Sequence, residues 1–597
     1  MPNITTIEDL NQIHQKADQQ LYPDKIKITV GTSSCGNASG ADLVLKKIQE
    51  KIDHLHLEAI VESTGCIGYC QQEPIVSVQK PRQPQVFYGK VDVKIAEEIV
   101  TALKDGKVSK QYAIGKYDKD ETLLNPHKHQ FGETPIANEY EGIPALFEIP
   151  FYKKQKRLVT RNCGLINPER IEDYIARGGY FSLFKVLSQK TGADTIIAEL
   201  KTVGLRGRSG EGFPTALKWD AAKKAEGPTK YIIGNGNEGD PSAFKDRMLL
   251  ESDPHAVIEG LLIGAYTVGA KEAYLYINNT YSVAIDRVQT AIKQAEQFGF
   301  IGENICGSGF SCKLKLVRGA GAYMAGESTA LLAAIEGQVP EPKAKYINVL
   351  EQGLYNKPTV INNPETLANV PLIIGKGGSW FSGIGKDKSK GTKLFTISGA
   401  IKNFGIIEVP FGITINEIIT EIGEGASASD KIKGVHFGGP AGGILPLNNG
   451  SAKSAAKIPV DFELLVAAGS TIGAGSIYVI PENICILDLV KSNLDFLKDQ
   501  ACGKCTPCRE GIRNLVRILT DISNGKGKPQ DLDLLKEICA VMVDTSLCGV
   551  GTTASNPILS SLAYFNDEYL NHINNKKCNL KSGSGAKLPN LNAKLVS

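Results

Sequence analysis

The run Cys502-Gly-Lys-Cys505-Thr-Pro-Cys508, followed by Cys548 in Thr545-Ser-Leu-Cys548-Gly549, decides how the rest of the chain is read. Three thiolates at two-residue gaps wrap one face of an iron–sulfur cube. The fourth must come from elsewhere, because a cubane needs four cysteines and a tight run of three cannot surround it. Structural zinc is the competing reading. Zinc prefers two pairs of ligands, and a C-x2-C-x2-C run leaves one thiol crowding the others. The spacing therefore favours a 4Fe–4S cluster on Cys502, Cys505, Cys508 and Cys548. A cluster implies electron transfer and directs attention to a donor and an acceptor.

The chain has 597 residues, enough for about three to five domains. With 42% hydrophobic and 22% charged residues it reads as globular, and a net charge of +3 argues against a nucleic-acid surface. No apolar run reaches the length of a membrane span; the nearest, around Val257–Ala270, is short and contains Glu259. The first residues lack the basic region and apolar core of a signal peptide, so a cytoplasmic location is expected. Thirteen cysteines in such a chain favour metal or redox roles over disulfides. Cys163, Cys306, Cys312 and Cys539 stand alone and read as buried apolar side chains.

Periodicity divides the chain into a multidomain α/β protein. Residues 1–110 read as a polar helical leader and a compact α/β unit, with strands at Ile26–Val30 and Ile75–Val78 and helices at Ala41–Ile52 and Ala96–Leu103. Residues 111–156 are polar, with little periodicity, and read as linker. Residues 157–390 are glycine-rich α/β with strands such as Tyr231–Ile233 and Ala273–Ile277, and 391–470 are β-rich. Residues 471–575 turn helical and would stack as a bundle holding the cluster, and 576–597 read as a disordered tail.

Three glycine clusters stand out in the centre, the third being Gly319-Ala-Gly-Ala-Tyr-Met-Ala-Gly-Glu327. Gly207-Arg-Ser-Gly-Glu-Gly-Phe-Pro-Thr-Ala216, with Lys218 and Trp219, lets backbone amides approach a phosphate or a flat ring, and Arg208 and Lys218 add charge. Gly234-Asn-Gly-Asn-Glu-Gly239 matches G-x-G-x-x-G. Asp240-Pro241 follow at once where the helix of a dinucleotide-binding turn should open, which argues against a standard dinucleotide fold there.

With these motifs in place, residues 157–575 resemble the FMN- and NADH-binding subunit of respiratory NADH:quinone oxidoreductase and its relatives in soluble hydrogenases and formate dehydrogenases. The matching stretches are Gly204-Leu-Arg-Gly-Arg208, Gly212-Phe-Pro-Thr215, Phe244-Lys-Asp-Arg247, Gly319-Ala-Gly-Ala322, Thr359-Val-Ile-Asn-Asn363, Cys502–Gly511 and Asp544-Thr-Ser-Leu-Cys548. The resemblance implies a Rossmann-like α/β flavin domain, a β-grasp insert and a C-terminal helical bundle with the 4Fe–4S cluster. It implies FMN held by Gly207, Arg208, Gly210, Lys218, Asn235, Asn237, Glu238, Gly326, Glu327, Asn362, Asn363 and Thr366, and NAD(H) or NADP(H) near Phe213, Asp240, Ser328 and Lys345. Several positions depart from the family. Ser209 and Glu211 replace Gly and Ala, Asn237 replaces an Asp, Ser328 replaces the second Glu of a Gly-Glu-Glu, and Tyr346-Ile-Asn-Val349 replaces Pro-Pro-Phe-Pro. These changes gather where the dinucleotide lies and imply weaker or differently posed binding.

Residues 25–105 resemble the thioredoxin-like 2Fe–2S domain fused to this subunit in multimeric, often electron-bifurcating hydrogenases. That family uses C-x4-C followed by C-x3-C. Here Cys66 and Cys70 supply the second pair, but the first has only Cys35, with Val30 at the other position and Ser33 or Ser34 as oxygen candidates. The alternative is a domain that has lost its cluster and serves as a docking module. Relatives also hold zinc near the C-terminus; Cys485, His572 and Cys578 offer three ligands, with Gly583 at the fourth position. Two functions stay open. One is an NAD(P)H-handling flavin and iron–sulfur subunit that exchanges electrons with other Fe–S subunits of a hydrogenase, formate dehydrogenase or related reductase. The other is a non-catalytic relay and assembly subunit without dinucleotide binding.

Overall fold

The computed structural model describes residues 4–118, 123–124, 135–344, 346, 348–425, 431–447, 454–578 and 580. The β-branched run Ile26-Lys-Ile-Thr-Val-Gly31 forms β1, with Ile28 and Val30 fully buried between the helices Ala41–Leu55 and Val93–Lys104. It is flanked by β2 (Ala59–Thr64), parallel, and β3 (Val76–Gln79), antiparallel; β4 (Gln85–Tyr88) and β5 (Ala113–Tyr117) complete the order β2-β1-β3-β4-β5. β5 falls in the stretch read as linker, so the first unit extends past residue 110. The signal was missed because this strand is short and flanked by polar residues. The helix Ile7–Leu21 starts on a Thr6–Asp9 capping box and packs on the helix Ile171–Ala176 of the central unit.

The central sheet has the order β8-β7-β6-β9, formed by β6 (Tyr231–Gly236), β7 (Glu272–Asn278), β8 (Lys313–Gly319) and β9 (Thr359–Asn362), all parallel. β6 runs on into Gly234 and Gly236. The first two glycines of the G-x-G-x-x-G match are therefore strand residues, and a methyl at Gly234 would come 2.5 Å from Leu275 Cδ2. The apolar helix Pro254–Val268 lies buried against this sheet. Its Glu259 carboxylate accepts from Tyr174 Oη–H (2.6 Å), Tyr180 N–H (2.9 Å) and Leu183 N–H (3.0 Å). Among the described residues no helix is long and apolar enough to cross a membrane.

After a small hairpin of β10 (Gly385–Lys386) and β11 (Ser389–Lys390), a third sheet has the order β13-β12-β16-β14-β15. Its strands are β12 (Thr392–Gly399), β13 (Gly405–Pro410), β14 (Ile432–Phe437), β15 (Gly443–Pro446) and β16 (Ser476–Pro481). β16 is the central strand, parallel to β12 and antiparallel to β14, so the boundary drawn at 470 cuts through the sheet. The helices Ile486–Gln500, Thr506–Ser523, Gln530–Thr545, Asn556–Tyr564 and Asn566–Asn575 then pack around one apolar core that includes Leu494, Leu515, Leu519 and Met542. Of the expected tail, Lys581–Ser597 lie outside the described residues.

A buried charge cluster joins the central unit to the third sheet. Lys245 Nζ lies 2.7 Å from Asp246 Oδ1 and 3.2 Å from Glu365 Oε2, and Lys393 Nζ lies 2.7 Å from the same Glu365 oxygen. Leu394 N–H donates to Glu365 Oε1 at 2.8 Å, and Asn363 Nδ2 donates to Asp246 at 2.6 Å. All four charged groups are at most 5% exposed. Burial opposes each charge. The two lysines overcome this at Glu365, whose pKa falls, whereas burial prevails at Lys393, which drops to about 8. Breaking one partner of such a group costs about 3–5 kcal/mol. Lys393→Met should lower stability by about that amount in denaturant titration, whereas Lys224→Met, whose pair with Asp220 is exposed, should leave the midpoint unmoved.

Candidate functional site

The C-terminal ends of the parallel strands β6 and β9 converge with the glycine loop 207–213 and the turn Tyr323–Gly326. This is where open α/β sheets bind ligands. Asn235 Nδ2 donates to Gly326 O (2.9 Å) and Asn237 Nδ2 to Ala322 O (3.1 Å), which ties β6 to the turn. Lys218 Nζ donates to Ile361 O (2.9 Å), Trp219 Nε1 to Asn362 Oδ1 (2.8 Å), and Arg208 N–H to Thr366 Oγ1 (2.9 Å), which ties the glycine loop and its following helix to β9. Phe213 is 46% exposed, with Lys218 Nζ 5.8 Å from its ring centroid. Burial lowers the pKa of Lys218, and Glu211 partly offsets this. Asn237 Oδ1 is buried with no hydrogen-bond partner among the described residues. An exposed ring face, a cation, an unpartnered carboxamide oxygen and the bare backbone of Gly326 suit a flat, anionic ligand.

Several expected contacts are corrected by side-chain direction. Arg208 is fully buried, stacks on Phe411 (4.9 Å) and donates to the carbonyls of Arg206 (2.9 Å) and Lys390 (2.6 Å); burial lowers it to about 10. Its guanidinium braces the loop from below, leaving only its backbone at the edge. Gly210 has φ +123°, and a methyl there would come 2.6 Å from Gly473 O, so this glycine seats the loop on the third sheet. The Glu238 carboxylate accepts from the amides of Lys245, Asp246 and Arg247 (3.0–3.2 Å), which caps the helix Lys245–Ser252; burial raises it to about 8. Asn363 caps the helix Pro364–Lys376 through Glu365 N–H (2.9 Å). Asp240, 5% exposed, accepts from Ser242 Oγ (2.6 Å) and Ser476 Oγ (3.0 Å) and is not free for a nucleotide. Glu327 caps the helix Ser328–Ile335 through Thr329 and Ala330 amides, both 2.9 Å, and Ser328 is its first residue. Lys345 lies outside the described residues. Within the departed segment Tyr346 is 88% exposed.

Cys502, Cys505 and Cys548 all lie close enough to Cys508 to act on its thiol. Cys505 is the N-cap of the helix Thr506–Ser523, with Cys508 in its first turn, and Cys548 receives the amides of Val550 and Gly551. Thiolates are favoured by amides and helix N-termini. Burial, then Cys505, Cys548 and Cys502, push the Cys508 thiol up to about 12. Bare thiolates repel one another here; the positive charge of iron removes that penalty, and the donor set fits a 4Fe–4S cluster. Cys548 and Cys502 pack with Met324, Ala330 and Tyr323, the wall between the quartet and the β6/β9 edge. Tyr323 N–H donates to Gln500 Oε1 (2.9 Å), fastening that wall to the bundle. Tyr323 lies in the glycine cluster Gly319–Glu327, but nothing in the sequence marks its link to Gln500, which carries no motif.

Two further groups flank these. Cys35, Cys66 and Cys70 lie close enough together to shift one another's thiol pKa, and Cys70 Sγ–H donates to Gly68 O at 3.7 Å. Arg247 Nη2 lies 3.5 Å from Cys35 Sγ. The serine candidates are occupied: Ser34 Oγ donates to Glu251 (2.5 Å) and Ser33 Oγ accepts from Arg287 (3.3 Å). In the bundle, Cys485 Sγ lies 3.3 Å from His572 Nε2, and with Cys578 the ligand atoms lie within 4.8 Å of one another. Gly583 is outside the described residues. Cys163, Cys306, Cys312 and Cys539 are buried as expected.

Comparison with known proteins agrees with this layout. Residues 200–372 match the Nuo51 FMN-binding domain, and residues 488–572 match the NADH-ubiquinone oxidoreductase-F iron-sulfur binding region. The chain is 47% identical over 426 residues to the NADP-reducing hydrogenase subunit HndC of Solidesulfovibrio fructosivorans, covering 71% of this chain and 85% of the relative. It is 40% identical over 421 residues to the F 2 subunit of NADH-quinone oxidoreductase of Rhizobium meliloti (strain 1021), covering 70% and 98%. A chain in the crystal structure of the NAD+-reducing [NiFe]-hydrogenase in the H2-reduced state superposes with a TM-score of 0.61 over 95% of this chain and 90% of that one; at 23% identity it shows the fold.

Gly210→Ala should unseat the glycine loop at a cost of about 1–3 kcal/mol. Flavin retention should weaken roughly tenfold or more, read as flavin absorbance per chain after gel filtration. Gly192→Ala, where an added methyl meets nothing closer than 3.9 Å, is the control.

Proposed function

We infer that this chain, which belongs to the family of the F subunit of NADH-quinone oxidoreductase together with the hydrogenase subunit HndC, is an NAD(P)H dehydrogenase-type subunit passing electrons between a nicotinamide cofactor and iron–sulfur clusters. The observation that carries this reading is the shared wall of Tyr323, Met324 and Ala330, with the FMN edge on one side and Cys502 and Cys548 on the other. FMN, when bound, supplies the conversion between two-electron hydride chemistry and one-electron transfer. The chain's residues do the rest. Phe213 offers a stacking face, Lys218 a cation, and the buried Asn237 an acceptor, while the Tyr323 wall excludes water between the two centres.

In the finer reading, the parallel sheet is the Rossmann-like flavin unit, the β12–β16 sheet the β-grasp unit and the β1–β5 sheet a thioredoxin-like unit that holds a 2Fe–2S cluster. Cys485, His572 and Cys578 bind zinc. The chain works in the cytoplasm, in a complex with other Fe–S subunits of a hydrogenase, formate dehydrogenase or related reductase. The exposed Tyr346, the serine at 328 and the hydrogen-bonded Asp240 support dinucleotide binding weaker than in respiratory relatives.

Cys505→Ala should abolish the 4Fe–4S EPR signal and remove about four irons per chain, while NAD(P)H still bleaches the flavin. An unchanged iron content overturns the assignment. Acid extraction should release FMN; FAD, or no flavin from anaerobically purified complex, contradicts it. Calorimetry with NADH and NADPH should give affinities one or two decades weaker than in respiratory relatives. For the bundle site, protein purified without added metal should carry about one zinc per chain, and Cys485→Ser should lose it.

A further inference from the structure

The thiols of Cys35, Cys66 and Cys70 leave one ligand of a 2Fe–2S cluster unassigned, and the side chain beside them is Glu73. Its Oε1 lies 3.8 Å from Cys66 Sγ, and the residue is 9% exposed. Its Oε2 accepts from Ile75 N–H (3.1 Å) and faces the backbone of the loop that carries Cys35. An added methyl would come within 3.3 Å of this oxygen at Gly36 and 3.7 Å at Gly31. Local geometry explains the placement. Cys70–Gln72 is a 3₁₀ turn, in which residues i and i+3 eclipse, so Glu73 falls on the same side as Cys70.

The surroundings of Glu73 differ from those of the other buried glutamates. Glu238 and Glu259 each accept from three donors, and Glu408 accepts from the amides of Leu158, Val159 and Thr160 and the hydroxyls of Thr160 and Thr392. Glu73 has one amide and one thiol, and no lysine or arginine among the described residues pairs with it. The nearby Arg247 is engaged by Cys35 and Glu251. A carboxylate shut from water is costly unless it is paired or coordinates a metal. The other candidates are excluded by position: Val30 is fully buried in the apolar core of the β1–β5 unit, and the hydroxyls of Ser33 and Ser34 are hydrogen-bonded to Arg287 and Glu251.

We propose that the Glu73 carboxylate is the fourth protein ligand, with Cys35, Cys66 and Cys70, of the N-terminal 2Fe–2S cluster. The proposal rests on the reading that this unit holds such a cluster. On loading, Glu73 binds as the carboxylate and Cys35, Cys66 and Cys70 as thiolates, the protons they carry leaving to solvent; one oxygen–iron and three sulfur–iron bonds form, and the contact of Cys66 S–H with Glu73 is lost. Carboxylate and thiolate each bring one negative charge, so the net charge equals that of an all-cysteine site. The ligand set is three sulfurs and one oxygen.

The test compares the full-length chain with Glu73→Ala, Glu73→Gln and Glu73→Cys. The readouts are iron and sulfide content, reduced-state EPR and the iron–sulfur stretching bands in resonance Raman, with FMN content and the 4Fe–4S signal as internal controls of folding. Glu73→Ala and Glu73→Gln should lose the 2Fe–2S signal and about two irons. Glu73→Cys should keep the cluster with shifted g values and a Raman pattern of four sulfurs. A wild-type 2Fe–2S signal that all three variants leave unchanged overturns the ligation alone. A wild-type chain without any 2Fe–2S signal overturns the underlying reading and the proposal with it.

Discussion

Everything that surrounds the flavin edge hangs on the buried contacts of Glu365 with Lys245 and Lys393. Glu365 lies in the first turn of the helix that follows Asn362 and Asn363; Lys245 belongs to the helix capped by Glu238; Lys393 lies near the start of the first strand of the third sheet. Three elements distant in sequence are held by one carboxylate. Such a cluster is a poor source of net stability, because desolvation offsets most of the attraction. What it supplies is registry: each group has few alternative partners in an apolar interior, so the elements meet in one arrangement. The glycines at 210, 473 and 438 extend the same junction. Gly473 packs on Gly438, and Gly210 on Gly473, at distances where any side chain would force the backbones apart.

The short helix Lys245–Ser252 links several distant parts of the chain. Its N-terminus is held by Glu238, and Asp246 reaches Asn363 beside the flavin edge. Arg247 touches Cys35, Glu251 binds Ser34, and Ser252 Oγ accepts from Cys66 N–H at 3.0 Å. One face serves the flavin edge and the other the N-terminal thiols. A guanidinium held against a thiolate favours negative charge there, so this helix places a positive charge beside Cys35.

How far the sequence could be read follows from what each signal depends on. The cysteine quartet was legible because metal ligation constrains spacing directly. The sheets and the bundle were legible from periodicity, except β5 and β16, short strands placed by partners far away in sequence. Flavin-site residues were located by segment but not by side-chain direction. Nothing in the string Gly207–Gly212 says that Arg208 turns inward to Lys390, or that Gly210 is small for the sake of Gly473. The roles of Glu238 and Glu327 as helix caps were likewise hidden, since a cap and a ligand contact use the same carboxylate. Glu73 was overlooked because a lone glutamate after a cysteine pair has no spacing rule to mark it.

The seating of the loop Gly65–Cys70 carries a consequence for how the molecule is made. Gly65 presses on Ser252, Gly68 O accepts from Ile406 N–H at 2.8 Å, and Tyr152 Oη–H donates to Ile67 O at 3.0 Å, while Cys66 is only 3% exposed. Once these contacts close, the thiol has almost no surface through which iron or sulfide could arrive. For the cluster proposed on these thiols, assembly is thereby ordered: loading precedes docking of the N-terminal unit on the rest of the chain, and docking then seals the product against exchange.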